Sequence, residues 1–220
     1  MAIKNFINYS LVRLGIDTID LYQPCRLDGS VPVEDVIGTV ADLIQEGKVR
    51  YLGVSEITAE QLRKAHSIHP VTALEIGYSL ADRQIESDLL PAAKELGIGV
   101  VAFANTAEGL LTGDMKAPLP ADSYQHHFPR FQGENLIKNL ATVEVLKDMA
   151  REKGVTPAQL AIAWVNAQGE HIMPLVSMSR RVRLPENMDA MGITFTSGEM
   201  DLLNTHFAPG AIVGGTYLQR

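Results

Sequence analysis

The chain of 220 residues carries 19 basic and 26 acidic side chains, giving a net charge of −7. This balance argues against binding to nucleic acid or to an anionic membrane surface, because both need clustered Lys and Arg. Hydrophobic residues make up 46% and charged residues 20%, which predicts a globular fold and excludes a disordered chain. One cysteine, Cys25, excludes an internal disulfide and a Cys-rich metal site. Without an apolar run of membrane-spanning length or a signal-peptide pattern, the default expectation is a cytoplasmic location.

The first half of the chain alternates short apolar segments with amphipathic ones. Strands are predicted at 19–22, 49–54, 71–76 and 98–103. Between them, an apolar stripe with a 3.6-residue period predicts a helix that ends before Gly47. Thr58 and Gln61 form a capping box at the start of the next helix, and a third ends near Gly97. The run at 98–103 is apolar throughout, which predicts a fully buried strand.

The second half begins with a departure from this rhythm. Residues 105–131 are rich in Gly, Pro and His and show no sustained period, which is typical of a functional or mobile loop. A helix at 134–154 follows, with five residues expected to face inward: Leu136, Leu140, Val143, Leu146 and Met149. A second capping box at Thr156 opens another helix, a fifth strand is predicted at 172–176, and Thr196 caps the last helix.

Strands that are separated by helices predict a parallel sheet with right-handed crossovers. Two architectures fit: a five-stranded doubly wound sheet, or part of a (β/α)₈ barrel. The sequence contains neither G-x-G-x-x-G nor G-x-x-x-x-G-K-[ST], which weakens the first. A complete barrel takes about 250 residues and eight units. We therefore predict α/β class and one domain over 1–220, an incomplete TIM barrel of about five βα units.

Seven segments carry a resemblance to a known family, in order along residues 6–206. They are LVRLGIDTIDLY at 11–22, VPVED at 31–35, EGKVRYLGVS at 46–55, GIGVVAF at 97–103, GLLTG at 109–113, RFQGEN at 130–135 and TPAQLAIAW at 156–164. Each is modest alone, but their order and spacing together resemble the aldo/keto reductases. The resemblance implies a (β/α)₈ barrel that reduces small aldehydes or ketones with NADPH and uses no metal.

The resemblance also implies which part of the barrel is present. The chain is similar to the fourth to eighth βα units, with a C-terminal helix and tail, so it looks truncated. The first three units of the family supply a catalytic Asp, Tyr and Lys, and no position here matches them. Self-association through the exposed barrel edges is an expected consequence.

Cys25 stands where the family usually has a fourth catalytic residue, a His. A thiol cannot reproduce the paired donor and acceptor nitrogens of an imidazole. One interpretation is a reactive nucleophile, and the other is a small side chain at the end of a barrel strand. The sequence shows no neighbouring His or helix N-terminus to lower the thiol pKa, which favours the second. No catalytic residue of the family is therefore matched.

The nicotinamide end of the implied cofactor site departs from the family pattern. By resemblance, Ser55 contacts the carboxamide, Glu75 replaces a carboxamide-binding Gln, and Phe103 replaces a Tyr that stacks on the ring. Glu56 stands where an Asn is usual. An ionised carboxylate accepts the N–H₂ donors of the carboxamide but cannot donate to its oxygen.

The adenosine end has stronger signals. Phosphates in such barrels are held after strands seven and eight, which points to the loops at 104–113, with Gly109 and Leu111, and at 177–187. The second loop carries three Arg within four residues, and guanidinium groups suit a 2′-phosphate. The resemblance implies these NADP(H) contacts in that loop: Ser177, Ser179, Arg180, Arg183, Glu186 and Asn187. The alternative is a solvated helix face, and Pro185 either interrupts this helix or lies in its first turn.

Three functions follow from these features. The first is an NADPH-dependent carbonyl reductase, the second a non-catalytic NADP(H)-binding or partner-binding protein, and the third an inactive remnant. A metal site at His126 and His127 is a weaker idea. The two lie on a loop without an acidic partner at ligand spacing, so we expect them to face solvent.

Overall fold

The computed structural model describes residues 2–27, 29–178 and 180–216. The described helices are α1 (Ala2–Leu14), α2 (Val33–Gln45), α3 (Ala59–Ile68), α4 (Leu89–Glu95), α5 (Gly133–Lys153), α6 (Pro157–Asn166), α7 (Arg183–Asp189) and α8 (Ser197–His206). The strands are β1 (Ile19–Tyr22), β2 (Val49–Ser55), β3 (Val71–Gly77), β4 (Gly99–Phe103) and β5 (Ile172–Pro174). None of the described helices is long and apolar enough to span a bilayer.

The strands follow one another in the sheet in chain order, β1-β2-β3-β4-β5. The β1–β2 and β2–β3 pairs are parallel, as expected where a helix separates consecutive strands. The α/β class with a parallel sheet is therefore confirmed. The described residues divide into two compact units, one up to Ile76 together with Ile85–Val101, and one of Gly77–Gln84 together with the chain from Ala102 onward.

The first unit contains the helices that the apolar pattern predicts. The inward stripe of α2 is buried at Val36, Ile37, Val40 and Leu43, and the capping box at Thr58 begins α3. In β2, Gly53 allows a close approach, since a Cβ there would lie 2.5 Å from Cγ of Gln23 and 3.1 Å from the Ala73 oxygen. Helix α1 exposes four large apolar side chains: Phe6, Tyr9, Val12 and Leu14.

The second unit is built around α6. Thr156 caps this helix in a complete capping box with Pro at its first position, and its residues from Ala158 to Val165 are buried. Trp164, the only tryptophan of the chain, is fully buried. In α5, four of the five residues expected to face inward are buried, and Leu140 is half-buried.

Two strand predictions need correction. The strand at 98–103 was expected to be fully buried, but β4 alternates between buried and half-buried residues, because successive side chains point to opposite faces. The fifth strand was expected at 172–176 but ends at Pro174. Proline has no N–H to continue the ladder, and the next N–H, of Leu175, donates to the Ala102 oxygen at 2.7 Å.

Candidate functional site

In the first unit, three of the predicted site residues lie together at the carboxyl ends of neighbouring strands. Cys25 forms a parallel bridge with Ser55, and Ser55 is level with Glu75 in the β2–β3 register. The backbone N–H of Glu56 donates to the backbone carbonyl oxygen of Glu75 at 3.0 Å. Ser55 is 5% exposed, Glu75 is half-buried and Cys25 is exposed. Three residues that are distant in sequence therefore meet at one edge of the sheet.

The chain adopts a left-handed backbone directly after Cys25 and directly after Ser55. Arg26 has a φ of 55° and Glu56 a φ of 51°, a region that costs free energy for residues other than glycine and that clusters at functional sites. The Arg26 guanidinium is ion-paired with the Glu56 carboxylate. The Glu56 side chain is thus turned toward a cation, and it is only 14% exposed.

In the second unit, backbone contacts hold the chain on either side of Phe103. Its carbonyl oxygen accepts a hydrogen bond from the Tyr78 N–H at 3.1 Å. The Asn105 amide donates to the oxygens of Ala102 and Tyr78 at 3.0 and 3.3 Å. The Tyr78 ring lies 5.3 Å from the Trp164 ring. Phe103, expected to stack on the nicotinamide, is therefore a half-buried side chain on a fixed backbone.

The predicted phosphate loop after β4 contains a 3₁₀ segment, Ala107–Thr112, which we call the 107–112 turn. Three consecutive residues there are left-handed: Ala107 at 49°, Glu108 at 54° and Gly109 at 94°. Near Gly109, the Met115 methyl is the only described atom within 4 Å of an added Cβ, at 3.8 Å. The Leu111 side chain is fully buried, which leaves its backbone as the part that could contact a ligand.

A buried group of charges lies beside this turn. Arg130 is 1% exposed and donates from Nη1 and Nη2 to the two Asp82 oxygens at 2.9 and 2.5 Å. Its Nη1 is also 3.5 Å from Oε2 of Glu108. Burial raises the pKa of Glu108; the Arg130 charge lowers it and the Asp82 charge raises it further. We call Asp82, Glu108 and Arg130 the buried charge cluster.

Sequence reasoning missed this cluster. Arg130 belongs to the recognised RFQGEN segment, but nothing in the local pattern indicates that it is buried or that its partners lie 48 and 22 positions earlier in the chain. The available signal was one charged residue, Glu108, between Ala107 and Gly109. That pattern alone does not identify a partner for its carboxylate.

The predicted adenosine loop leads into α7, which begins at Arg183. Pro185 is therefore in the first turn, where a missing N–H costs little, and the alternative of an interrupted helix is wrong. Ser177 and Arg180 are exposed. Ser179, expected at the 2′-phosphate, lies outside the described residues.

Two predicted cofactor contacts in this loop bind each other. Arg183 Nη1 is 3.0 and 2.8 Å from the two oxygens of Glu186. Glu186 also accepts from the Thr156 hydroxyl at 3.1 Å, and its carbonyl oxygen accepts from the Gln159 amide at 2.9 Å. The capping box of α6 is thereby joined to α7. Asn187, next in the chain, is half-buried.

The two loop histidines are exposed, and the His126 Nε2 lies 2.9 Å from the Pro120 oxygen. Among the described residues, no group of three or more His, Cys, Asp or Glu side chains is arranged to hold a metal ion.

Comparison with known proteins gives consistent matches. A model of the Aldo/keto reductase family matches residues 2–207. The chain is 37% identical over 216 residues to "Probable aldo-keto reductase 1" of Glycine max, and the match covers 98% of this chain and 62% of that protein. The chain thus spans less than two thirds of this relative.

Solved structures show the same likeness. A glycerol dehydrogenase, AKR11B4, from Gluconobacter oxydans has a TM-score of 0.87 and 30% identity, over 94% of this chain and 64% of that one. A thermostable aldo-keto reductase crystallised with the inhibitor epalrestat has a TM-score of 0.73 and 25% identity, over 91% and 64%. With the family model matching nearly the whole sequence, the chain belongs to the aldo/keto reductase family.

Proposed function

We propose that the protein is an oxidoreductase that acts on small aldehydes or ketones with NADPH, and that this chain supplies the cofactor-binding part. The observation that carries the proposal is the start of α7. There, Arg183 is held by Glu186 and is 37% exposed, with Arg180 exposed nearby. A planar guanidinium matches phosphate geometry, and membership of the family makes a dinucleotide its expected ligand.

The residues present fit the adenosine end of NADP(H). Arg180 and Arg183 have the charge to bind a 2′-phosphate, while Glu186 and Asn187 offer hydrogen-bonding groups to the adenine. Binding would require Arg183 to share its guanidinium between Glu186 and the phosphate. This sharing of the guanidinium favours NADPH over NADH, because only NADPH carries the 2′-phosphate.

The edge in the first unit fits the nicotinamide end. The Ser55 hydroxyl can donate to and accept from the carboxamide, and the Glu75 carboxylate can accept its N–H₂ protons. When bound, the reduced nicotinamide supplies a hydride to the carbonyl carbon. The role of the residues of this chain is to bind and orient the nicotinamide ring. Because Arg26 pairs with Glu56, the negative charge of the Glu56 carboxylate at this edge is offset.

We also propose that the chain corresponds to the fourth to eighth βα units of the barrel. In support, β1 is at one end of the strand order, and α1 leaves Phe6, Tyr9, Val12 and Leu14 between 61% and 81% exposed. Exposed apolar side chains at that density are typical of a face that another element covers. The acid–base groups of the family would then come from the first three units. This chain on its own is expected to self-associate through the edge that those units would cover.

A second candidate is a protein that binds NADP(H) without catalysis. The observation favouring it is Cys25, which stands in the place of the family's His and is exposed beside Ser55. In this case the cofactor contacts are the same, but no acid–base group acts on a carbonyl.

Calorimetric titration separates these functions when it is combined with a carbonyl-reduction assay. We expect the chain to bind NADPH more tightly than NADH and to show no turnover of aldehydes or ketones alone. Turnover by this chain would contradict the proposed loss of acid–base groups. Absence of binding to both cofactors would leave an inactive remnant as the explanation. Light scattering on the same sample tests self-association.

A further inference from the structure

The buried charge cluster places one guanidinium between two carboxylates. Arg130 makes a bidentate pair with Asp82, while Glu108 approaches Nη1 at 3.5 Å without a hydrogen bond. Among the described residues, Oε2 of Glu108 and Nε of Arg130 are buried without a hydrogen-bond partner. Such a group is expensive to leave in a fold, so its retention calls for a physical explanation.

Arg130 is held firmly by its own surroundings. Its carbonyl oxygen accepts a hydrogen bond from the Asn139 amide at 2.9 Å. The same amide donates to the Val213 carbonyl oxygen at 2.9 Å and accepts from the Val213 N–H at 2.8 Å. The backbone at Gly214 packs so closely that a Cβ there would lie 2.5 Å from the backbone nitrogen of Arg130. These contacts fix the Arg130 backbone, and the two hydrogen bonds to Asp82 fix its guanidinium.

Glu108, in contrast, lies in a strained segment. It is the middle one of the three left-handed residues from Ala107 to Gly109. A left-handed non-glycine residue persists only when its surroundings hold it. Among the contacts that hold it, the Gln125 amide donates to the Glu108 backbone carbonyl oxygen at 3.2 Å, and the N–H groups of Gly109 and Leu111 donate to the Thr106 oxygen at 3.1 Å. The charge of Arg130 acts on the Glu108 side chain.

We propose that Arg130 is a positioning residue, which acts through Glu108 to hold the 107–112 turn in the conformation that receives the cofactor. This inference rests on the proposed function, since Gly109 and Leu111 of the turn are candidate cofactor contacts. Asp82 fixes the guanidinium, and the attraction between Arg130 and Glu108 keeps the left-handed residues in place. Neither side chain needs to touch the cofactor.

Positioning can be separated from stability at Glu108. Burial raises the pKa of this carboxyl, so its charged form is disfavoured in the folded state, and Glu108→Gln removes that charge at nearly constant volume. A merely structural role predicts a lower melting temperature. Positioning predicts an unchanged or higher melting temperature with a less ordered turn.

The experiment compares the wild-type chain with Glu108→Gln and, as a matched control, Glu134→Gln, whose side chain is 87% exposed. Hydrogen exchange of the cofactor-free chains is followed by mass spectrometry in peptides covering 104–113. We expect exchange there to be about threefold to tenfold faster in Glu108→Gln, with exchange in the other peptides unchanged and a melting temperature that is unchanged or higher. Unchanged exchange in the turn overturns the inference, whether or not the wild type binds NADPH.

Cofactor binding to the same chains is then measured through Trp164 fluorescence. We expect NADPH binding to weaken by about threefold to tenfold in Glu108→Gln and to be unchanged in Glu134→Gln. Faster exchange with unaltered affinity overturns the link to the cofactor. If the wild type binds no NADPH, the proposed function fails instead, and faster exchange would then show an anchor for the turn with no cofactor role.

Discussion

The two units bring predicted cofactor contacts together by different means. In the first unit these contacts lie at the carboxyl edge of β1–β3, and in the second unit they lie in the 107–112 turn and in α7. In the first unit, Cys25, Ser55 and Glu75 are level because strand pairing makes them so. In the second unit, the contacts depend on side chains, with Arg130 facing Glu108 and Arg183 held by Glu186. Backbone register tolerates changes of side chain, whereas a charge network fails when one member is lost. Substitutions should therefore act more strongly and more specifically in the second unit.

The largest effect is expected from Arg130→Met, which leaves Asp82 and Glu108 buried without their cation. Removing one partner of a buried pair costs roughly 3–5 kcal/mol in the free energy of unfolding, to be measured by urea denaturation. The control is Arg151→Met, whose side chain is 75% exposed and pairs with Asp148; its cost should stay below about 1 kcal/mol. Equal costs for the two substitutions would contradict the description of the cluster as buried and paired.

An intermediate effect is expected at the two capping boxes that have the same chemistry in different units. Thr58→Ala and Thr156→Ala each remove the hydroxyl that caps a helix, at about 1 kcal/mol. Only Thr156 also donates to Glu186, so its loss should cost about 1 kcal/mol more in thermal unfolding. If Thr58→Ala proved equally costly, the link between α6 and α7 would contribute nothing to stability.

The smallest effect is expected from Glu186→Gln, which frees Arg183 while keeping a hydrogen-bonding group for the adenine. Losing an ion pair at this exposure changes stability by less than about 1 kcal/mol. NADPH should bind about twofold to fivefold more tightly, in line with the modest strength of a partly exposed pair. NADH, without a 2′-phosphate, serves as the internal control in the same titrations. A similar gain for both cofactors would mean that Arg183 does not distinguish them.

The parts of this structure that sequence could predict are those set by neighbours in the chain. The capping boxes at Thr58, Thr156 and Thr196 are all present as the local pattern predicts, and Gly47 ends α2 in a left-handed conformation. The family resemblance singled out Cys25, Ser55 and Glu75 one by one, and the pairing of the strands is what brings them level.

What sequence could not supply depends on long-range packing. Asp82 and Arg130 are 48 positions apart, and their pairing is decided by how the loops fold together. The alternation of burial in β4 reflects what lies on each face of the sheet, which an all-apolar run does not reveal. Likewise, the ion pair between Arg183 and Glu186 was hidden because both residues were assigned to a ligand and not to each other.

Cys25 offers a practical use. It is the only thiol in the chain and it is exposed, so a maleimide dye would attach at a single known point. Its bridge to Ser55 places that dye at the carboxyl edge of β1–β3, where a change in emission on adding a dinucleotide would report occupancy directly. A lone exposed cysteine thus provides a ready-made spectroscopic handle.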